Sequence, residues 1–129
     1  MMVITQVFLE KAGWHRYEIS NYAKVGFQSV HNRIYWKNQE YLGFGAAAYS
    51  YLDGVRRANT SSVQKYVDNV LAGISPVVNK EHLDLSGQMS ETIMLGLRLR
   101  EGVDLESFRQ RFGVELLNEY RPQVQKLQA

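Results

Sequence analysis

Cysteine is absent from the 129-residue sequence. Its absence excludes disulfides, thiolate metal sites, iron–sulfur ligation by this chain and cysteine nucleophiles. Long apolar runs are missing too: none approaches the roughly 18 residues that span a bilayer, and the N-terminus has no apolar segment of the signal-peptide type. The sequence therefore predicts a soluble, cytoplasmic protein whose chemistry depends on histidine, carboxylates, hydroxyls or a bound cofactor.

Strong charge of one sign is also lacking, since the formal net charge is +2 at pH 7. Residues 1–65 hold eight Lys/Arg against four Asp/Glu, whereas residues 66–129 hold seven against nine. Neither half reaches the basic density of a surface that neutralises phosphates, so no nucleic-acid partner is expected. The composition, 45% apolar and 22% charged, is that of a globular chain with a sizeable core.

The first sixty residues combine short helical and strand patterns. Residues 3–12 predict an amphipathic helix ended by Gly13, and the alternation at 15–20 predicts a strand. Small side chains at 43–50 predict a second strand, which a turn at Asp53-Gly54 connects to a return strand. Such small residues let a ligand approach the backbone closely.

The clearest amphipathic helix of the sequence covers 61–72. Either Ser61 or Ser62 serves as its N-cap, and Gly73 follows as its stop. A polar loop with a proline comes next, so the one boundary that composition suggests lies at 74–86.

The C-terminal part predicts three helices in a row. They cover 89–99, 104–112 and 114–120. The first begins behind Ser86 or Ser90, and Asp104 caps the second. Pro122 is expected to end or kink the third helix, because proline removes a backbone donor.

These three helices have the outline of a helix-turn-helix unit, in which the helix from Val114 would lie in a major groove of DNA. Glu115 and Glu119 on that helix would repel phosphates. A packing or lid module is therefore preferred over a DNA-binding one.

His31, Tyr35 and Trp36 form the densest group of candidate binding residues. They fall at i, i+4 and i+5, on one face of a helical turn, and Tyr41 follows. A histidine among aromatics is typical of a hydrogen-bonded core residue, and it can also bind a metal or a cofactor. Spacing alone leaves both interpretations open.

Other polar groups have equally plain alternatives. Glu18, Asn21 and Tyr22 follow the first predicted strand, where α/β folds place ligand contacts, but the same groups can cap a loop. Ser20 and Ser50 lack a neighbouring His/Asp pattern, so hydrolytic catalysis is not expected. Three pairs of arginines are interpreted either as solvated helix faces or as contacts for an anionic ligand. They are Arg56-Arg57, Arg98/Arg100 and Arg109/Arg111.

Four segments carry a family resemblance. They are YEISNYA (17–23), HNRIYW (31–36), YLGFGAAAYSYLDGVR (41–56) and MLGLRLREGVDLESFRQRFG (94–113). Their combination resembles HemW-type radical S-adenosylmethionine (SAM) proteins, the haem-chaperone relatives of oxygen-independent coproporphyrinogen III oxidase, HemN. The HN-x-x-YW motif favours the HemW type over HemN itself.

The resemblance implies an α+β fold in two parts. Residues 1–73 would be the C-terminal edge of a partial (β/α) radical SAM barrel, 74–86 a linker, and 87–129 an incomplete, mainly helical, winged-helix-like HemN-type C-terminal domain. The family's cluster-binding region with its CxxxCxxC motif has no counterpart here. The chain is thus interpreted as a C-terminal fragment, whose cut barrel edge is expected either to pack on the C-terminal helices or to self-associate.

For the full-length parent, the resemblance implies a 4Fe-4S cluster, S-adenosylmethionine and haem, and none of these is expected in the fragment alone. The positions that match the S-adenosylmethionine pocket are Gly45, Ala48 and Tyr49. The positions that match the haem site are His31, as an iron ligand, with Tyr35 and Trp36 beside it.

The chain departs from the family pattern at three positions. GAAAYS stands where the family often has GAGAHS, so Ala47 replaces a glycine and Tyr49 a histidine. Val25 replaces a common proline.

The function implied by the resemblance is that of a haem chaperone, which binds haem or a porphyrin and passes haem to haem-accepting proteins without decarboxylating a substrate. The alternative is an oxygen-independent coproporphyrinogen III oxidase of porphyrin biosynthesis, and a stand-alone interaction module is a third class. Peripheral membrane contact of the parent is left open. By itself the chain is expected to catalyse nothing, because it has no cluster ligands.

Overall fold

The computed structural model describes residues 2–128. Helices and strands both contribute, so the mixed α and β composition predicted from the sequence is confirmed. In chain order the described elements are α1 (Met2–Lys11), β1 (His15–Arg16), β2 (Tyr22–Ala23), α2 (Val30–Trp36), β3 (Tyr49–Leu52), β4 (Val55–Asn59), α3 (Val63–Leu71), β5 (Val77–His82), α4 (Leu85–Gly96), α5 (Leu105–Phe112), α6 (Leu116–Glu119) and α7 (Arg121–Gln128).

The chain divides into two compact units. One unit, the terminal unit, combines the residues up to Lys37 with those from Met89 onward. The other, the middle unit, covers Asn38–Gln88. Within the described residues, no helix is both long enough and apolar enough to cross a bilayer.

Strand β1 of the terminal unit is shorter than the strand predicted at 15–20. It pairs with β2 in antiparallel register, with His15 opposite Ala23. The chain turns back soon after β1, because the Tyr17 amide donates to the Asn21 carbonyl and the Ser20 amide donates to the Glu18 carboxylate. The prediction was therefore wrong beyond residue 16.

A second backbone contact ties this region to the end of α4 in the same unit. Glu18 and Leu99 form an isolated antiparallel bridge, and the Arg100 amide donates to the Tyr17 carbonyl at 3.1 Å. Segments from the two ends of the sequence thus share one set of backbone hydrogen bonds.

The core of the terminal unit lies among its C-terminal helices. Four buried apolar residues form it, and their partly buried neighbours are Ile93, Val103, Val114 and Tyr120. The buried four are Met89, Phe108, Phe112 and Leu116. The Cβ of any larger residue at Gly96 would lie 2.8 Å from Val103 Cγ2, so α4 can approach this segment closely only with glycine there.

Two of the three C-terminal helices begin differently from the prediction. Helix α4 starts at Leu85, four residues early, because the Asp84 carboxylate accepts from the Gly87 amide at 2.7 Å and acts as the N-cap. Ser86 and Ser90 are therefore not its caps. The third predicted helix is only α6.

Asp104 and Pro122 behave as predicted. The Asp104 carboxylate accepts from the Ser107 amide at 2.9 Å at the start of α5. A break follows α6 at Tyr120, and Pro122 lies in the first turn of α7, where its missing donor is not needed.

The middle unit is built on the antiparallel sheet β3-β4-β5. Asp53 and Gly54 connect β3 to β4 as predicted, both with positive φ (52° and 71°), which suits the twist of a two-residue hairpin. Strand β5 pairs with β4 and crosses residues predicted to be a loop at 74–86. That prediction was wrong because an edge strand with both faces exposed shows no hydrophobic alternation.

Helix α3 of the middle unit is capped as predicted but not covered. The Ser62 hydroxyl accepts from the Lys65 amide at 3.3 Å. None of the residues of α3 is buried, and its apolar side includes Val67, 42% exposed, and Leu71, 81% exposed.

Candidate functional site

Helix α2 of the terminal unit carries the first group of candidate residues. Ser29 precedes the helix in an extended conformation, and its hydroxyl accepts from the Asn32 amide at 3.2 Å. The cap fixes the start of a helix of only seven residues, which is too short to be stable without tertiary contacts.

Two ion pairs supply such contacts. Glu101, which follows α4, accepts from Arg33 at 2.8 Å and lies 3.6 Å from Lys37. All three side chains are at least partly exposed, so each pair contributes modestly. Together they hold one side of α2 against the segment after α4.

His31 is exposed at the N-terminal end of α2. Its ring meets that of Tyr35 edge to face, with centroids 4.8 Å apart and an interplanar angle of 85°. Aromatic pairs favour this arrangement, which limits the orientations of the imidazole. The i, i+4 spacing that placed these two residues on one face of a helical turn does bring their side chains together.

Trp36 has a different neighbour. The guanidinium of Arg98 lies over its indole ring, 4.4 Å from the centroid. Its ring nitrogen Nε1 is buried without a hydrogen-bond partner. Arg98 covers one face of the Trp36 ring, so a planar ligand cannot stack on that face. The exposed imidazole of His31 has no such cover within the described residues.

The second group of candidate residues lies in the middle unit, and the structure corrects its conformation. The strand predicted at 43–50 begins only at Tyr49. The preceding residues form a turn in which Gly45 has a φ of 106° and Ala47 a φ of 60°. Left-handed backbone of this kind cannot continue a strand, and for alanine it is strained.

Hydrogen bonds within the middle unit hold this turn on both sides. The Gly45 amide donates to the Tyr66 hydroxyl, and the Gly45 carbonyl accepts from Asn59 Nδ2, both at 3.0 Å. The Asn59 amide donates to the Ala48 carbonyl at 2.9 Å. Because these backbone groups are already paired, a ligand could contact the turn through its apolar surface and through the exposed Tyr49 side chain.

Gly43 is a positioning residue that the sequence reasoning missed. A Cβ at this position would collide with the backbone carbonyl of Tyr49, so no other residue fits without moving the backbone. Its amide donates to the Ser50 hydroxyl at 3.0 Å. The signal was present in the alternate glycines of the sequence GFG, which mark close backbone approach.

Glu18, Asn21 and Tyr22 lie around the tight turn between β1 and β2. Glu18 is 2% exposed, and its carboxylate accepts from the Ser20 amide at 2.9 Å. This hydrogen bond caps the loop, which is the alternative to ligand binding that the sequence also allowed. It satisfies part of the hydrogen-bonding capacity of the buried carboxylate.

The arginines of the predicted basic pairs bind different partners. Arg100 lies 3.7 Å from Glu10, Arg56 pairs with Glu81 at 3.0 Å, and Arg57 donates to the Leu52 carbonyl. Because each of these three arginines has a different partner, none of them is paired with its neighbour in sequence to bind an anion.

Arg109 is engaged in the same way. It pairs with Glu106 at 2.8 Å, and this contact raises the pKa of Arg109 and lowers the pKa of Glu106. Arg111 lies over the Phe112 ring at 5.0 Å. Among residues 2–128, no group of three or more His, Asp or Glu side chains is arranged to hold a metal ion.

Comparisons with known proteins match this chain throughout. A family profile described as the HemN C-terminal domain matches residues 83–129. Heme chaperone HemW of Bacillus subtilis (strain 168) is 38% identical over 116 residues, or 90% of this chain and 31% of that protein. Heme chaperone HemW of Synechocystis sp. is 42% identical over 101 residues, or 76% of this chain and 24% of that protein.

A solved structure shares the fold. Coproporphyrinogen III oxidase (HemN) from Escherichia coli, described as a radical SAM enzyme, superposes with a TM-score of 0.70 at 17% identity and covers 99% of this chain and 32% of its own. The chain spans less than a third of the length of the curated relatives reported above. By these matches the chain is similar over most of its length to the proteins named heme chaperone HemW, and residues 83–129 carry the domain named after the C-terminal part of HemN.

Proposed function

We propose that the protein acts as a haem chaperone, binding haem at His31 and passing it to haem-requiring proteins. The observation that carries this proposal is the exposed His31 imidazole, held at the start of a capped helix with the Tyr35 ring beside it. Neither a hydrogen bond nor an ion pair engages the His31 side chain within the described residues. A neutral histidine imidazole is a competent axial ligand of haem iron.

Tyr35 and Trp36 would then have separate roles. Tyr35 orients the imidazole through the contact of their rings. Trp36 anchors the C-terminal end of α2 through its stack with Arg98. The curated relatives bearing the name heme chaperone, similar over three quarters or more of this chain, support the same function.

S-adenosylmethionine and a 4Fe-4S cluster belong to the proposal for the whole protein. The chain has no cysteine, so it offers none of the thiolates that hold such clusters. The turn with Gly45, Ala48 and Tyr49 fits the edge of a cofactor pocket, where it would contact S-adenosylmethionine through apolar surface. Bound S-adenosylmethionine would supply the radical chemistry that the family name describes.

The finer architecture is proposed on the same footing. Residues 1–73 are assigned to the edge of a partial (β/α) barrel and 87–129 to an incomplete winged-helix-like domain. Residues 74–86, which contain β5 and the start of α4, are assigned to the connection between them. Their support is the fold shared with HemN and the profile match at the C-terminal end. The cytoplasm is the proposed location, haem-accepting proteins are the proposed partners, and peripheral membrane contact and self-association through exposed apolar surface are part of the same proposal.

Substitution of His31 tests the proposed function. In the natively expressed protein, His31→Ala is expected to weaken ferric haem binding at least tenfold and to alter the Soret band, because the axial ligand is lost. A matched control is His82→Ala, which removes an exposed histidine at the end of β5. Unchanged haem affinity and an unchanged Soret band in His31→Ala would disprove the haem site.

Coproporphyrinogen III oxidase activity is the alternative, and the fold shared with HemN is the observation that favours it. The decisive measurement is anaerobic turnover of coproporphyrinogen by the natively expressed protein. Conversion of propionates to vinyl groups would support the oxidase, and haem binding without turnover would support the chaperone.

A further inference from the structure

The proposed function gives the Arg98 guanidinium no ligand. It lies 4.4 Å from the centroid of the Trp36 ring. Its Nε is buried without a hydrogen-bond partner. Within residues 2–128, neither a hydrogen bond nor an ion pair engages the rest of the guanidinium.

Two acidic side chains in this part of the terminal unit, Glu101 and Glu10, are engaged by other cations. Glu101 is shared by Arg33 at 2.8 Å and Lys37 at 3.6 Å. Glu10 lies 3.7 Å from Arg100. Arg98 is therefore a cation that the described structure leaves without an anion, in a region that holds other cations.

The Arg98 side chain is half-buried. Nε is its one nitrogen that is both fully buried and unpaired within the described residues, so the two terminal nitrogens keep some exposure. The stack on Trp36 fixes the plane of the guanidinium and removes water from one of its faces. A guanidinium held in one plane offers two parallel N–H donors, which match the two oxygens of a carboxylate.

Arg98 contacts α2, the helix that carries the proposed haem ligand His31, through its stack on Trp36. Trp36, which supports it, follows His31 by five residues on α2, which is about 7.5 Å along the helix axis and about 140° around it. That length is comparable with the distance from the iron of a haem to its periphery, where the two propionate carboxylates lie.

We propose that Arg98, held on the Trp36 ring, binds a propionate carboxylate of the tetrapyrrole whose iron His31 ligates. This inference rests on the proposed haem function and deepens it. It gives the ligand an orientation, with its carboxylate edge toward the C-terminal end of α2. It also explains why a charged side chain is stacked on a tryptophan without an acidic partner.

The first measurement is a titration of ferric haem into the natively expressed protein and its variants, followed at the Soret band. Arg98→Ala is expected to weaken binding about tenfold, which corresponds to ~1.4 kcal/mol. The haem affinity of Arg98→Lys should lie between those of the wild type and Arg98→Ala, because lysine keeps the charge but not the two parallel donors. The control is Arg111→Ala, which removes an arginine that also lies on an aromatic ring and should leave the affinity unchanged.

The second measurement replaces ferric haem by its dimethyl ester, in which both carboxylates are blocked. The wild-type protein should bind the ester more weakly than haem, and Arg98→Ala should bind the ester as well as the wild type does. If Arg98→Ala weakens both ligands by the same factor, the residue acts through folding and the inference is wrong.

The outcomes separate this inference from the function on which it rests. If His31→Ala loses haem while Arg98→Ala keeps wild-type affinity, the haem site stands and the carboxylate contact is disproved. If the wild-type protein binds neither haem nor the ester, the proposed function fails and the contact fails with it.

Discussion

Helices α5 and α3 begin and end with the same local signals, yet only α5 has its apolar side covered. Each is capped by a polar side chain, Asp104 in α5 and Ser62 in α3, and each is followed within two residues by glycine. In α5, Phe108 is 2% exposed and packs with Phe112, whereas no residue of α3 is buried. Caps and spacing therefore determine that a helix forms, and tertiary partners determine whether its apolar side is buried.

The same contrast holds between the units that contain these helices. The C-terminal helices of the terminal unit are held together by apolar packing. The middle unit is held by strand pairing and by hydrogen bonds around its turn, while its strongly amphipathic helix remains exposed. Stability in the two units thus comes from different interactions.

The largest expected effect is the loss of an aromatic side chain from the covered helix. Phe108→Ala should lower the free energy of unfolding by about 3–5 kcal/mol, because it removes a fully buried ring and leaves a cavity. Val67→Ala in α3 should change it by no more than about 0.5 kcal/mol. Urea unfolding of the purified chain, followed by circular dichroism, measures both. Similar losses for the two variants would show that α3 is in fact packed.

An intermediate effect is expected in the turn of the middle unit. Ala47→Gly should raise the free energy of unfolding by about 0.5–1 kcal/mol, because alanine at a φ of 60° is strained and glycine is not. Ala48→Gly is the matched control, since the φ of Ala48 is not positive, and it should be neutral or destabilising. The same urea titration tests both variants, and destabilisation by Ala47→Gly would contradict the left-handed conformation.

The smallest effect concerns pH at the start of α5. The backbone hydrogen bond from Ser107 lowers the pKa of Asp104. Because this pKa is lower in the folded state, the contribution of Asp104 is present above its unfolded pKa and is lost as the pH falls through the folded value. Asp104→Asn keeps a capping oxygen that does not titrate.

The measurement is the difference in stability between the wild type and Asp104→Asn from about pH 6 to about pH 3. The wild type should lose stability relative to the variant at the acid end. Glu106, whose pKa is also lowered, is present in both proteins, and its contribution cancels except for the part that depends on the Asp104 charge, which raises the Glu106 pKa. A difference independent of pH would rule out the charged cap.

The elements that could be predicted are those specified by neighbouring residues. The caps at Ser62 and Asp104, the hairpin turn at Asp53-Gly54 and the contact of His31 with Tyr35 all follow from spacings of four residues or fewer. Strand β5 could not be predicted, because its pairing with β4 leaves no alternation in its own sequence.

The parts of the candidate sites that escaped prediction depend on distant residues. The Arg98 guanidinium reaches Trp36 from the turn that follows α4, and no local pattern marks that contact. The turn before Tyr49 looked like a strand because alanine and glycine carry little periodic signal. Its conformation depends on Tyr66 and Asn59, which lie further along the chain.

The backbone contact between Tyr17 and Arg100 has a consequence for the order of events during synthesis. At the usual rate of translation, on the order of ten seconds separate the appearance of these two residues. In that interval all three strands of the middle unit leave the ribosome, and their pairing needs nothing made later. The segment of the terminal unit that is made first must wait for the segment that is made last, so the middle of the chain is expected to fold before its ends.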